Sequence, residues 1–298
     1  MKTTLILIKR NIKLFFKDKG MFFTSLITPA ILLVLYATFL GNVYRDSFVS
    51  GLPQGVSLSD KLLDGLVGGQ LVSSILAVSC VTVSFCSNFL MVQDKANGSI
   101  KDLAISPVSP ITLSVSYYIA TLVSSFTICF VSMLGCLGYL ALTGWYLSVA
   151  DVFLMLLDVA ILVFFGTALS SIINFFLSTQ GQISAVGSII SSGYGFICGA
   201  YMPISQFSDG LQKVISFLPG TYGTSLLRAH AMRGALEEMG KTIPKEALNG
   251  LKDMLDINLY FFENKVNEPT MYIILLISVL IFVSVYVIMN AVKLKKSR

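Results

Sequence analysis

Charge is what this sequence lacks most. Of its 298 residues only 12% are Asp, Glu, Lys or Arg, against 55% hydrophobic, and the mean hydropathy is +0.80. A soluble domain carries about 25% charged residues, so a fold wetted on all sides is excluded and most of the chain belongs in lipid. Histidine is scarcer still, with His230 the only one. It has no companion acid or cysteine in an obvious arrangement, which leaves no catalytic or metal centre to build on it. It is expected in a loop outside the membrane. Cys80, Cys86, Cys129, Cys136 and Cys198 all lie in apolar runs, with neither metal-ligand spacing nor pairing between loops. They read as small buried hydrophobes and say nothing about redox compartment.

A nucleotide site is also missing, although three fragments imitate one. Leu66-Val67-Gly68-Gly69-Gln70 is one residue from the LSGGQ signature of ABC ATPases, with valine where a serine hydroxyl would meet phosphate. Gly240-Lys241-Thr242 ends like a phosphate-binding loop, but Ala235 stands where its first glycine belongs, and Glu237 and Glu238 would repel phosphate from within the cradle. Leu154 to Asp158 reads as four apolar residues and an acid, yet it sits in an apolar run and Val159 follows. The order is wrong, and no alternation of strands and helices surrounds these pieces. If ATP is involved, another polypeptide binds it.

Long apolar runs are what the sequence has. Crossing hydrocarbon takes roughly 20 mainly apolar residues, and six runs fit: Gly20 to Gly41, Leu66 to Val92, Ile111 to Leu142, Val152 to Phe176, Ile183 to Tyr201 and Met271 to Val292. Short loops rich in Lys and Arg stay cytoplasmic. Lys2, Lys9, Arg10, Lys13, Lys17 and Lys19 precede the first run, and Lys293, Lys295, Lys296 and Arg298 follow the last. Both termini are therefore expected in the cytoplasm, in a cell membrane. Asn42 to Gly65, with only Arg45 and Lys61, and Thr143 to Asp151, with no Lys or Arg, belong outside. Met202 to Thr270 holds seven basic residues but is too long for its charge to decide; the count of spans puts it outside. The net charge of +5 is then anchoring at the inner surface rather than a sign of nucleic acid. The basic N-terminal segment, whose charges recur to Lys19, is expected to stay in the mature protein. Leu5, Ile8, Ile12, Phe15 and Phe16 share a helical face beside Lys9, Lys13 and Lys17, which suits a helix lying among lipid headgroups.

Gln93 to Pro110 is the polar segment left inside. Asn97-Gly98-Ser99 makes a turn and a cap, Ile100, Leu103 and Ala104 recur at helical spacing, and Ser106-Pro107 stops the helix. By themselves these features fit an ordinary solvated connector as well as a docking helix. As a pattern, Asp94, Lys95, Gly98, Ser99, Leu103, Ser106, Pro107 and Val108 resemble the coupling-helix segment of type-2 ABC transporter permeases; Ala96 and Lys101 depart where an acid is common. Met202-Pro203-Ile204, Phe217-Leu218-Pro219-Gly220-Thr221-Tyr222 and Leu226-Leu227-Arg228 are similar to that family's segment after span five. Ser208 and Gly220 depart there, where proline and an apolar residue are common. Phe207, Leu211, Val214 and Leu218 share one helical face, as a shallow insertion requires.

The resemblance implies an all-α polytopic membrane protein: a cytoplasmic interfacial helix over 1–19, six transmembrane helices over 20–292, and a cytoplasmic tail over 293–298. Within the six-span domain it implies a coupling loop at 93–110 and a re-entrant and external region at 202–270. Pro203, Pro219, Tyr222 and Arg228 mark the re-entrant part. It further implies a non-catalytic permease subunit of an exporter for a drug, peptide, lipid-like molecule or glycan. The chain would hold no cofactor; ATP and Mg would be bound by two separate ABC ATPase subunits beneath a second permease copy or a paralogue. Spans two and five line the subunit interface in this family, so Gly69, Ser73, Ser188, Ser192, Gly195 and Gly199 are candidates for a pathway, with packing inside one subunit as the alternative. Asp158 falls within span four, where an acid costs about 2.5–3.5 kcal/mol. It is expected either to hydrogen-bond a neighbouring span or to serve a proton or substrate. The segment from Glu237 to Glu268, with a helix-like stretch after Pro244, is expected to cap the re-entrant helix. An ion-coupled secondary transporter is the rival reading, but one intramembrane acid and no convincing repeat support it poorly. An intramembrane protease would need Asp151 and Asp158 at matching depth, seven residues apart as they are, or a partner for His230.

Overall fold

The computed structural model describes residues 2–50, 58–105 and 108–295, with backbone alone at 36, 37, 47, 50, 101, 104 and 293–295. Helix α1 (Lys2–Lys17) leads into α2 (Lys19–Leu35), which continues through a π-helical turn, Tyr36–Leu40, into α3 (Gly41–Ser50). Then come α4 (Asp60–Ala96), the short α5 (Ser99–Ile105), α6 (Pro110–Thr143), α7 (Val149–Phe176) and α8 (Gln180–Ile197). A 3₁₀ turn, Ile204–Gln206, precedes α9 (Asp209–Ile215), α10 (Pro219–Met239) and α11 (Lys245–Met254). A small antiparallel hairpin, β1 (Leu259–Phe261) with β2 (Asn264–Val266), pairs Leu259 with Val266, and α12 (Glu268–Lys295) closes the chain.

Among the described residues five helices are long and apolar enough to cross a membrane: Lys19–Asp46, Asp60–Ala96, Pro110–Thr143, Val149–Phe176 and Glu268–Val292. The fifth expected span coincides with α8, which has only 18 residues. Gln180, Gln182, Ser184, Ser188, Ser191 and Ser192 dilute its apolar face, so length and composition alone do not make it a span. The other runs are longer as helices than as apolar stretches because capping side chains lie outside the apolar limits. Ser59 accepts from the Leu62 amide at 3.3 Å, and Ser148 and Asp151 form a reciprocal capping box at the start of α7.

Helix α4 is the axis of the molecule. Its most apolar window is wholly buried, whereas that of α12 is 22% buried. A helix apolar on all sides needs neighbours on all sides; α4 has α2, α6, α7, α8 and α10 around it. Small residues let them come close. A side chain at Gly68 would meet Leu140 at 2.8 Å, and one at Gly166 would meet the α4 backbone at Cys80 and Val81 at 3.0 Å. In the middle of this packing Asn88 donates to the hydroxyls of Ser170 and Ser171, each at 3.0 Å, which satisfies a buried amide without charge.

Two amphipathic helices bury only part of their apolar faces within the chain. In α1 the buried stripe is Leu7, Asn11 and Phe15, and Leu5 is exposed. The Arg10 guanidinium reaches inward to Asp94 of α4 and also donates to Asn11 Oδ1, so a polar pair lies beside the apolar contacts of this helix. Between α8 and α10 the helix is only α9, seven residues long, and Leu211 and Val214 point outward with Phe217. The inward contact is Ile215, which packs with Ile204, Tyr222 and Leu226.

Candidate coupling site, groove and buried polar cluster

The end of α4 holds the sequence-predicted coupling residues, and the structure divides them into anchors and exposed parts. The Asp94 carboxylate receives both Arg10 guanidinium nitrogens, at 2.7 and 3.3 Å, and the Tyr117 hydroxyl of α6 at 2.5 Å. Lys95 donates to the carbonyls of Asn174, Phe175 and Leu177 at 2.8–3.0 Å. Those carbonyls lie at the C-terminus of α7, the negative end of its dipole, so an ammonium group there hydrogen-bonds and neutralises at once. Its Nζ also lies 5.7 Å from the Phe175 ring centroid. Asp94 and Lys95 therefore bind α1, α6 and α7 to α4 rather than pointing away from the protein.

Gly98 turns the chain from α4 into α5 at φ 79°, a left-handed conformation with open space around it that glycine adopts without strain. Ser99 opens α5, Ile100 packs on the core and Leu103 is half-buried, so this face of α5 is held against the protein. Asp102 is exposed and Ile105 is 86% exposed. Val108 is half-buried, while Ser106 and Pro107 lie outside the described residues. Sequence reasoning singled out Leu103 and passed over Asp102 and Ile105; the three-residue spacing of Ile100 and Leu103 was the signal that the opposite face is the free one. Arg10 and Tyr117 were also passed over, since nothing local in the sequence links positions 84 and 23 residues from Asp94.

The six pathway candidates separate in the same way. Ser188 and Ser192 line an open groove of about 730 Å³ between α2 and α8, floored by Cys86 and Phe89 of α4. Thr24, Thr28 and Ser191 add hydroxyls to its walls, and Asp18 sits at one end. Gly69 and Ser73 are enclosed: a side chain at Gly69 would meet the Ala231 carbonyl at 2.8 Å, and Ser73 donates to Gln70 O within α4. Gly195 and Gly199 form the turn that ends α8. The Gly195 carbonyl accepts from the Ala200 and Tyr201 amides at 2.9 and 3.0 Å, and Gly199 has φ 73°. A glycine spacing reports close approach without naming the partner, and here the partners of these four lie in the same chain.

The residues after α8 converge on Arg228, which is fully buried. Its guanidinium donates to Gly199 O at 2.8 Å and Leu255 O at 2.7 Å and lies 3.5 Å from Asp256. The Asp256 carboxylate takes the Ile204 amide, next to Pro203, at 2.6 Å. Pro219 starts α10, and Tyr222 donates to Ser216 O at 2.6 Å. Arg228 thus holds a buried clamp between the end of α8, α10 and the stretch before β1, with Pro203 beside it, whereas Pro219 and Tyr222 shape the start of α10. The helix-like stretch after Pro244 is α11.

His230 corrects its expectation. It sits on α10, buried, with Nδ1 2.6 Å from an Asp158 oxygen; the Tyr272 hydroxyl of α12 donates to the other oxygen at 2.5 Å. The histidine lacked a companion in sequence because its acid lies 72 residues away on another helix. Asp158 bonds two neighbouring helices at once, an arrangement that an acid within a span requires.

Comparison with curated proteins gives no match. The family model of the ABC-2 type transporters matches residues 2–231, well over half of the chain, and takes in α1, the coupling corner and the groove. The chain belongs to the ABC-2 type transporter family, as a multi-pass membrane permease of the kind that pairs with ABC ATPases.

Proposed function

We propose that this permease is the transmembrane half of an ATP-driven exporter, pairing with a second copy or a paralogue above two separate ATPase subunits. The ATPases dock on the exposed face of α5, with α1 beside it; the positive charges of both ends favour a cytoplasmic position for this side, in a cell membrane. The observation that carries the reading is the knot at Asp94 and Lys95, which ties α1, α4, α6 and α7 together one turn before α5. A push on α5 reaches four helices through charge-assisted bonds rather than bending one loop. The groove between α2 and α8 is the route between copies. Its hydroxyls and apolar floor favour an amphipathic cargo such as a drug, a lipid-like molecule or a peptide; a glycan is the remaining class. ATP and Mg belong to the partner, and this chain itself is not catalytic. The ion-coupled alternative gains nothing from the family match.

Gly98→Val and Leu103→Asp test the reading in the assembled complex reconstituted in vesicles. Both variants are expected to retain ATPase binding while hydrolysis loses its stimulation by transport and export falls at least tenfold. Normal export by both would overturn it.

A further inference from the structure

The Asp158–His230 pair has an unfinished side. His230 Nε2 is buried, has no hydrogen-bond partner among the described residues, and faces Glu268 Oε2 at 3.7 Å. With Asp158 ionised, one oxygen accepts from Tyr272 and the other from Nδ1–H, which leaves a lone pair on Nε2 of the neutral ring. A lone pair then faces a carboxylate. Arg233, three residues along α10, approaches the same Glu268 oxygen at 3.5 Å and Asp151 of α7 at 3.3 Å. Two carboxylates thus approach the guanidinium and a third, Asp158, lies on the ring, so the cluster is one positive charge nearer to balance when the ring is an imidazolium.

We propose that His230 Nε2 is a proton-binding site whose occupation fastens α10 to α12. A proton from the aqueous side to which Glu268 is open adds to the Nε2 lone pair. The ring keeps Nδ1–H on Asp158 and gains Nε2–H, which donates to Glu268; no other bond forms or breaks. The facing groups are Asp158 and Asp151 from α7, Glu268 and Tyr272 from α12, and Arg233 from α10 itself. On the α4 side Cys80 approaches the α7 backbone beside Asp158, with its thiol 3.8 Å from Val159 O, and Gly69 abuts Ala231. Among the described residues no other carboxylate lies within 4.0 Å of the ring. Glu268 is 49% exposed and is the first residue of α12, so the proton has a short path from water. The consequence is a permease whose re-entrant helix α10 is held more firmly to the last span in acid than in neutral solution. This holds whatever the cargo.

A base that gains an acceptor only when protonated adds stability at low pH and loses it as pH rises. Because His230 is the only histidine, ring-labelled histidine in the full-length chain, purified without a histidine tag in lipid nanodiscs, gives one NMR signal to follow. That signal is expected to move reversibly between pH 8 and pH 5.5. Over the same interval the thermal midpoint of the wild type should rise by roughly 2–4 °C more than that of Glu268→Gln, which keeps the exposed rim and removes the acceptor's charge. His230→Asn keeps an N–H toward Asp158 and should lose the same increment. A ring signal that does not move, or a Glu268→Gln protein with the full acid gain, would overturn the proposal, and neither depends on His230→Asn folding.

Discussion

Asp94 is the residue on which most of the coupling corner turns. It is almost fully buried, and its two oxygens serve Arg10 and Tyr117. Replacing the carboxylate by an amide leaves the size unchanged but weakens both contacts and removes the charge that holds the guanidinium. Hydrogen bonds to charged groups contribute about 1.5–3 kcal/mol; Arg10 is 31% exposed, which puts the ionic part at the low end. Asp94→Asn should therefore lower stability by about 1.5–3 kcal/mol, read as a fall in thermal midpoint in nanodiscs, and should open α1 to trypsin at Arg10 and Lys13. Asp102→Asn makes the same charge change on the exposed face of α5 and should stay within about 0.5 kcal/mol of wild type. The acid–base pattern at Asp94 and Lys95 was readable as a motif, but its role was not. A motif names residue types, whereas whether a carboxylate points at a partner or at its own chain is decided by helices distant in sequence.

At the scale of elements, α10 was the least readable. Its sequence, PGTYGTSLLRAHAMRGALEEM, is too polar to announce a helix inside a membrane protein, yet most of it is buried among α4, α7 and α12. The polar groups are paired internally through Arg228 and His230, and close approach comes from glycine. A side chain at Gly223 would strike Leu162, one at Gly220 would strike Tyr194, and one at Gly234 would strike the Tyr146 carbonyl. The spacing of these glycines, three and eleven residues apart, has no motif to mark it. Five of the six expected spans were readable because length and apolarity are local properties; α10 was not because its burial depends on partners supplied by segments distant in sequence. Of the contacts, Gly234 is the most demanding, since the obstacle is backbone oxygen rather than a flexible side chain. Overpacking typically costs about 1–3 kcal/mol, and with an immovable neighbour Gly234→Ala should reach the top of that range or fail to fold. Gly135→Ala on α6, where nothing lies within 4 Å, should be neutral or stabilising by up to about 1 kcal/mol. Thermal midpoints of the two variants side by side measure the difference.

For the whole molecule the asymmetry of burial is informative. α4 is covered on every side within one chain, yet α2 and α8 leave the hydroxyl-lined groove open beside it, with Ile27 and Ile31 exposed along α2 and Ile189 along α8. α12, packed on α6, α7 and α10, exposes Leu276, Leu280 and Ile281 as a mainly aliphatic face, on which Ser284 is a single exposed serine. A lipid-facing surface has no use for a row of serines and threonines, whereas a route or a contact between copies does. Cysteines at the two faces separate these roles. All five native cysteines are buried, so the thiol background is quiet once Cys86, which lines the groove, is replaced by alanine. In that background Ser188→Cys is expected to cross-link two copies with a short bifunctional reagent, or to be shielded from a membrane-permeant maleimide by transported cargo. Leu280→Cys should do neither and should label at the same rate with or without cargo. Equal behaviour of the two positions would mean that α2 and α8 face lipid as α12 does, and the groove would then be neither the meeting place of two copies nor the path of the cargo.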